Sequence, residues 1–220
     1  MAQRINTAKN GEKFLTYSIR PMVKEDIEQV NEIDHEAFPT QWPPANYGQE
    51  LQNKIAHYLV VYDDTRIFKY YTPFPKNKPN KFLWLFPKRK SQHSAETQLL
   101  THFYIVGFAG IWMMADEAHI TNLAVRQEYQ GKGMGELLLL ATIDLAGVLK
   151  ATFMTLEVRA SNLVAQSLYS KYGFTQMGVR RGYYLDNHED AVIMSTDMLT
   201  SPSFQEHIRQ LRETLKKKLT

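Results

Sequence analysis

Gln130-Gly131-Lys132-Gly133-Met134-Gly135 lies between two apolar runs, His119 to Val125 and Glu136 to Val148. That order reads strand, glycine turn, helix. Glycines let the backbone approach a ligand with no Cβ in the way. The first N–H groups of such a helix lack an internal partner and stand at the positive end of its dipole. Together these make a cradle for an anion, above all phosphate or pyrophosphate. A plain strand-to-helix turn would not need three alternating glycines with a lysine among them. Two phosphate motifs are excluded by position. The dinucleotide fingerprint would need glycine at 136 or 138, and the P-loop would need Gly-Lys-Ser/Thr from 136 onward. The chain has Glu136-Leu137-Leu138 there.

Downstream, Thr152 to Val158 alternates apolar and polar residues and reads as a buried strand. Asn162 is a good N-cap for a helix from Leu163 to Tyr172, and Gly173 is its terminator. Phe174 to Val179 and Ala191 to Met198 read as further strands. Upstream, Phe14 to Met22, His57 to Tyr62 and Phe103 to Met114 read as strands. One helix runs from Lys24 to Ala37, and a short one follows Pro43-Pro44. Strands interleaved with helices predict an α/β (α+β) fold, a mixed seven-stranded twisted sheet with helices on both faces.

The six-residue pattern Gln-x-x-Gly-x-Gly resembles the acetyl-coenzyme A signature of the GNAT superfamily of N-acetyltransferases. The run Leu156-Glu157-Val158-Arg159-Ala160-Ser161-Asn162, with Leu168-Tyr169 and Tyr172-Gly173-Phe174, is similar to the bacterial ribosomal-protein-alanine N-acetyltransferases. Those enzymes modify the N-terminal alanine of ribosomal protein bS18. Ala37-Phe38-Pro39 with Trp42, Asp116 to Asn122, Tyr183-Tyr184 and Asn187 to Ala191 extend the match. It spans about residues 17–64 and 102–198. The resemblance implies the GNAT fold and acetyl-CoA as cofactor. It implies backbone contacts to the cofactor from Leu123, Ala124 and Val125. Gln130, Gly131, Lys132, Gly133, Met134, Gly135 and Glu136 would hold the pyrophosphate, and Asn162 would add a side-chain contact. It makes Glu157 the proton acceptor and Tyr169 the proton donor. An acceptor peptide, the bS18 N-terminus, would thread between Phe38-Pro39-Thr40-Gln41-Trp42 and Arg181-Gly182-Tyr183-Tyr184.

Acetyl transfer from a thioester to an amine has three physical needs. The amine must be neutral, the carbonyl oxygen needs donors as it gains charge, and the departing thiolate is helped by a proton. Glu157 suits the first, because a carboxylate on a buried strand holds a proton more tightly than in water. The alternative is a structural ion pair with Arg159 or another cation. Asn162 and Tyr169 stand seven residues apart on one helical face. A tyrosine at such spacing is ordinarily core, and only the resemblance gives it a chemical role. His119 is either a second proton shuttle or a satisfied polar group at a strand start. No His, Asp or Glu cluster has metal-ligand spacing, and a thioester needs no metal.

The 220 residues suit one domain with additions, and 44% hydrophobic content suffices for a full core. There is no cysteine, which removes disulfides and thiol nucleophiles and is compatible with a cytoplasmic location. No apolar run approaches the ~20 residues of a membrane span, and the polar first residues lack a signal-peptide core. The acetyltransferase domain is expected over 14–200. It carries a basic aromatic insertion at 65–100 with strand arms Ile67 to Tyr71 and Lys81 to Phe86. Residues Thr65 to Ala95 hold eight Lys or Arg and no acid. The insertion reads as a β-hairpin, with weak ribosome or RNA contact as the alternative. Over 201–220, Phe204, Ile208, Leu211, Leu215 and Leu219 form one apolar helical stripe.

Overall fold

The computed structural model describes residues 16–40, 44–73 and 97–219, with the side chains of 70–73 and 97–101 left aside. Its elements are β1 (Tyr17–Pro21), α1 (Ile27–Ala37), α2 (Tyr47–Glu50), β2 (Ala56–Pro73), β3 (Thr97–Met114) and β4 (Glu117–Val125). They continue with α3 (Met134–Val148), β5 (Phe153–Arg159), α4 (Leu163–Lys171), β6 (Phe174–Tyr184), β7 (Glu189–Thr196) and α5 (Pro202–Leu219). One seven-stranded sheet results, in the order β1-β2-β3-β4-β5-β7-β6. Only the β4 and β5 pair is parallel. The mixed sheet with helices is the architecture the sequence predicts.

Side-chain alternation along the strands gives the sheet two apolar faces. Tyr58, Val60 and Tyr62 pack with Val30 and Ile33 of α1 and with Tyr47 of α2. Val61 packs with Met134 and Leu138 of α3 instead. Helix α1 begins later than its sequence suggests, because a 3-10 turn occupies Lys24–Asp26. Arg20 grips the Asp26 carboxylate at 2.5 and 2.7 Å, and the Val23 N–H donates to it at 2.8 Å. In α5 the apolar stripe is turned inward. Phe204, Ile208 and Leu215 are buried in the main core, with Leu211 and Leu219 packed against it. Arg212 bonds Asp144 of α3 at 2.6 Å, and Lys218 reaches Glu136 at 3.4 Å.

At the base of the insertion, strands β2 and β3 do not stop. After an irregularity between Asp63 and Ile67 they continue as one antiparallel ribbon, from Ile67↔Phe103 to Pro73↔Thr97. The arm expected at 67–71 is a strand and pairs with 99–103. The arm expected at Lys81 to Phe86 lies outside the described residues. Replacing residues 74–96 with Asn-Gly, a turn suited to a two-residue hairpin, is expected to keep the fold. Thermal denaturation should show a Tm shift below about 4 °C, the equivalent of ~1 kcal/mol at this size. Excision of 65–95 removes the ribbon and should cost more.

Candidate active site

Strands β4 and β5 pair from Glu117↔Phe153 to Ile120↔Leu156 and then part. Beyond that rung β4 is held by β3 alone and β5 by β7 alone. The cause is visible in the register. Gly110 faces Asn122 and Ile111 faces Ile120, so Thr121 is an extra residue that bends β4 away. The next residue of β5 after the last rung is Glu157, which puts its carboxylate at the crotch of a fork. Across the opening, Asn122, Leu123, Ala124 and Val125 present a strand edge that no other described strand pairs with. Such an edge has backbone groups to offer an extended ligand.

The Glu157 side chain is 10% exposed and lies between an imidazole and a guanidinium. Nε2 of His119 is 3.0 Å from Oε2, and Nη1 of Arg180 is 2.9 Å from Oε1. His119 is itself held from behind. Its Nδ1 is 2.8 Å from Oγ1 of Thr155, and the Thr155 hydroxyl donates to Glu117. The Arg159 expected as the alternative partner of Glu157 is engaged elsewhere. It bonds Asp186 at 3.0 and 3.1 Å and Glu189 at 3.1 Å, and lies 3.9 Å from the centre of the Tyr184 ring. The cation on Glu157 is Arg180 of β6, half exposed at the rim.

The glycine stretch is anchored before it turns. Arg126 is buried, donating to the Ile105 carbonyl at 2.9 Å and to Glu32 at 2.7 Å. Tyr129 bonds Asp63 and Arg66 at 3.1 and 2.6 Å. The Gln130 amide donates to the Val125 carbonyl at 3.0 Å, folding the loop back on the end of β4. Gly131 (φ 72°) and Gly133 (φ 90°) adopt left-handed conformations, which L-residues with a Cβ resist. A Cβ at Gly131 would point into open space, so the loop there is open to a ligand. Gly133 caps α3, and the N–H groups of Met134, Gly135 and Glu136 follow without intrahelical acceptors. Lys132 is exposed beside them, 5.4 Å from the Tyr129 ring. The loop shape, the free amides and the lysine fit a pyrophosphate. The Glu136 side chain turns away from this cradle. Burial opposes its charge, but Lys171 and Tyr172 hydrogen bonds hold the carboxyl below its usual range.

Tyr169 is buried beside Phe174, with ring centres 5.7 Å apart, and burial pushes its phenol up. Asn162 caps α4 by accepting from the Ala165 N–H at 3.0 Å, and is exposed. The shared face of α4 thus runs from solvent at Asn162 to core at Tyr169. On the other side, Tyr183 and Tyr184 meet edge to face at 5.2 Å, and burial pushes the Tyr184 phenol up to about 12. Thr40, next to Pro39, lies 3.5 Å from Arg159, so one guanidinium touches both loops expected to flank an acceptor. Hydrogen bonds from Ser161, then from Asn187 and Arg159, hold Glu189 down at about 2. Phe38 packs against the α1 core, and Trp42 lies outside the described residues.

Arg180, Thr155 and Glu117 went unnoticed in the sequence. Thr155 carries a usable signal, because it stands two residues before Glu157 and so shares its face. Arg180 carries none, since it comes from β6, which β7 separates from β5, and its register follows an irregularity at Gln176 and Gly178. Among the described residues no helix is long and apolar enough to cross a membrane.

Comparison with known proteins gives a consistent picture. Residues 66–174 match the model of the acetyltransferase (GNAT) family. A Bacillus subtilis (strain 168) protein provisionally named a ribosomal protein bS18-alanine N-acetyltransferase is 34% identical over 178 residues, covering 80% of this chain and 93% of that protein. The Escherichia coli (strain K12) ribosomal protein bS18-alanine N-acetyltransferase is 34% identical over 125 residues, covering 54% and 84%. The crystal structure of the ribosomal-protein-S18-alanine N-acetyltransferase from Escherichia coli superposes with a TM-score of 0.61 at 24% identity, covering 84% of this chain and 96% of that one.

Proposed function

The chain belongs to the GNAT acetyltransferase family, and from that premise we propose that it acetylates the N-terminal alanine amine of ribosomal protein bS18. It is an acyltransferase, and the family uses acetyl-CoA. The observation that supports the reading is the fork: Glu157 follows the last rung between β4 and β5, and the end of β4 is tied through Gln130 to the glycine loop.

Each group then has a task. Gly131 to Glu136 hold the pyrophosphate by backbone N–H groups and the α3 dipole, with Lys132 beside them. Leu123, Ala124, Val125 and Asn162 would contact the cofactor. When bound, acetyl-CoA would supply an acyl group activated as a thioester. Glu157 accepts the proton of the incoming ammonium so that a neutral amine attacks. Tyr169, whose burial secures its proton, would serve as the proton donor to the thiolate. Phe38, Pro39, Tyr183 and Tyr184 would flank the acceptor. Arg159 steadies that groove through Thr40, Asp186, Glu189 and Tyr184.

The bS18 acceptor is supported by the names of the relatives and by amine chemistry. A model α-amine titrates near ~8 and lysine near ~10.4, so one carboxylate base serves an N-terminus better. A peptide with the bS18 N-terminal sequence is expected to be acetylated at its α-amine. The same peptide blocked there should not react at internal lysines. Mass spectrometry of the product peptides checks both. Preference for free lysine or a polyamine by kcat/KM would overturn the acceptor and leave the family standing.

A further inference from the structure

The hydrogen-bond chain behind Glu157 has a direction. Glu117 only accepts when ionised, so the Thr155 hydroxyl donates to it. The Thr155 oxygen is then left to accept, and the His119 nitrogen 2.8 Å away must donate from Nδ1. A neutral His119 so arranged has a bare lone pair on Nε2. That lone pair faces the Oε2 atom of Glu157 at 3.0 Å. Two acceptors do not rest at 3.0 Å unless a proton lies between them. His119 and Glu157 therefore share one proton across that contact.

We propose that His119 is the positioning residue and proton relay of the base, drawing the proton from Glu157 and passing it through Thr155 to Glu117. The proposal rests on the reading of Glu157 as proton acceptor. The steps balance without any co-reactant. An N–H bond of the ammonium breaks and an O–H bond forms on Glu157. As it arrives, the proton shared across the 3.0 Å contact settles on Nε2 of His119. The Nδ1–H bond breaks as its proton crosses to Oγ1 of Thr155, and the proton already on Thr155 passes to Glu117. Glu117, 31% exposed against 10% for Glu157, returns it to solvent.

The charged and titratable groups facing the pair come from two strands. Glu117 comes from β4, and Arg180 and the Tyr184 phenol come from β6. Strand β3 places Trp112 opposite His119, and Trp112 does not titrate. Arg180 holds the other oxygen of Glu157 at 2.9 Å and so leaves Oε2 to His119.

The test is the pH profile of acetylation of an alanine-starting peptide. His119→Asn keeps a donor for Thr155 but cannot relay. It is expected to lower kcat on the order of 10-fold, less than the ~10²–10⁴ of the base itself. The acid limb of kcat/KM should move, because Glu157 then faces Arg180 with no partner to share its proton. Thr155→Val leaves the pair intact, and should keep the limb in place while lowering kcat. A structural role alone would lower rates equally at every pH. An unmoved limb in His119→Asn overturns the shared proton, and an unchanged kcat in Thr155→Val overturns the exit route. Wild-type activity in Glu157→Gln would instead remove the base reading beneath both.

Discussion

Glu157→Gln is expected to lower kcat by about 10²–10⁴-fold, the usual contribution of a general base. Acetyl-CoA affinity should change little. Gln keeps the length and planarity of the side chain. Its oxygen can still accept from Arg180, and its amide can still donate to the bare Nε2 of His119. The geometry around the fork is thus preserved, and the one property lost is the capacity to take a proton. Turnover of an alanine-starting peptide between pH 6 and 9, with acetyl-CoA binding by calorimetry, separates the two quantities. Wild-type rates across that range would remove Glu157 from the role.

Gly133→Asp should have a comparable effect by a different route. Asp is a favoured N-cap in most helices, and the change might be read as conservative for α3. At a φ of 90° it is not. The Cβ would lie 3.1 Å from Cδ1 of Leu215 and 3.3 Å from Cδ2 of Leu219, on top of ~1–3 kcal/mol of backbone strain. It also places a carboxylate in the turn proposed to hold the diphosphate. Like charges set together cost several kcal/mol, so acetyl-CoA affinity should fall on the order of 10²-fold or more. Gly135→Ala is the control. Its Cβ would meet only Leu168 at an ordinary 3.5 Å, and alanine is the better helix former. Calorimetry that finds undiminished binding in a folded Gly133→Asp protein would reject the cradle.

These two sites were legible in the sequence for different reasons. The cradle is contiguous, so its glycines, lysine and helix start can be read in one line. Glu157 is betrayed by the buried residues on either side of it, Met154, Leu156 and Val158, which leave a carboxylate on the opposite face of a core strand. What could not be read is what arrives from elsewhere. Arg180 stands in β6, a strand separated from β5 by β7, and an irregularity at Gln176 and Gly178 precedes it. The parting of β4 and β5 turns on one extra residue, Thr121, inside a run that looks like uninterrupted strand. The continuation of β2 and β3 as a ribbon to Pro73 and Thr97 likewise depends on pairing between distant segments.

The packing of α5 over Gly133 bears on how the protein folds. Glu136 and Lys218, which meet there, are 82 residues apart in the chain. Closing so long a loop costs chain entropy before the contact returns anything. The shape of the pyrophosphate turn is therefore completed by a contact that must wait for the rest of the domain to assemble. An unfolded or half-assembled chain has the glycines but no finished mould for the diphosphate. A coenzyme that binds the native state alone then acts as a mass-action brake on unfolding, worth ~2.7 kcal/mol at a hundred times its Kd.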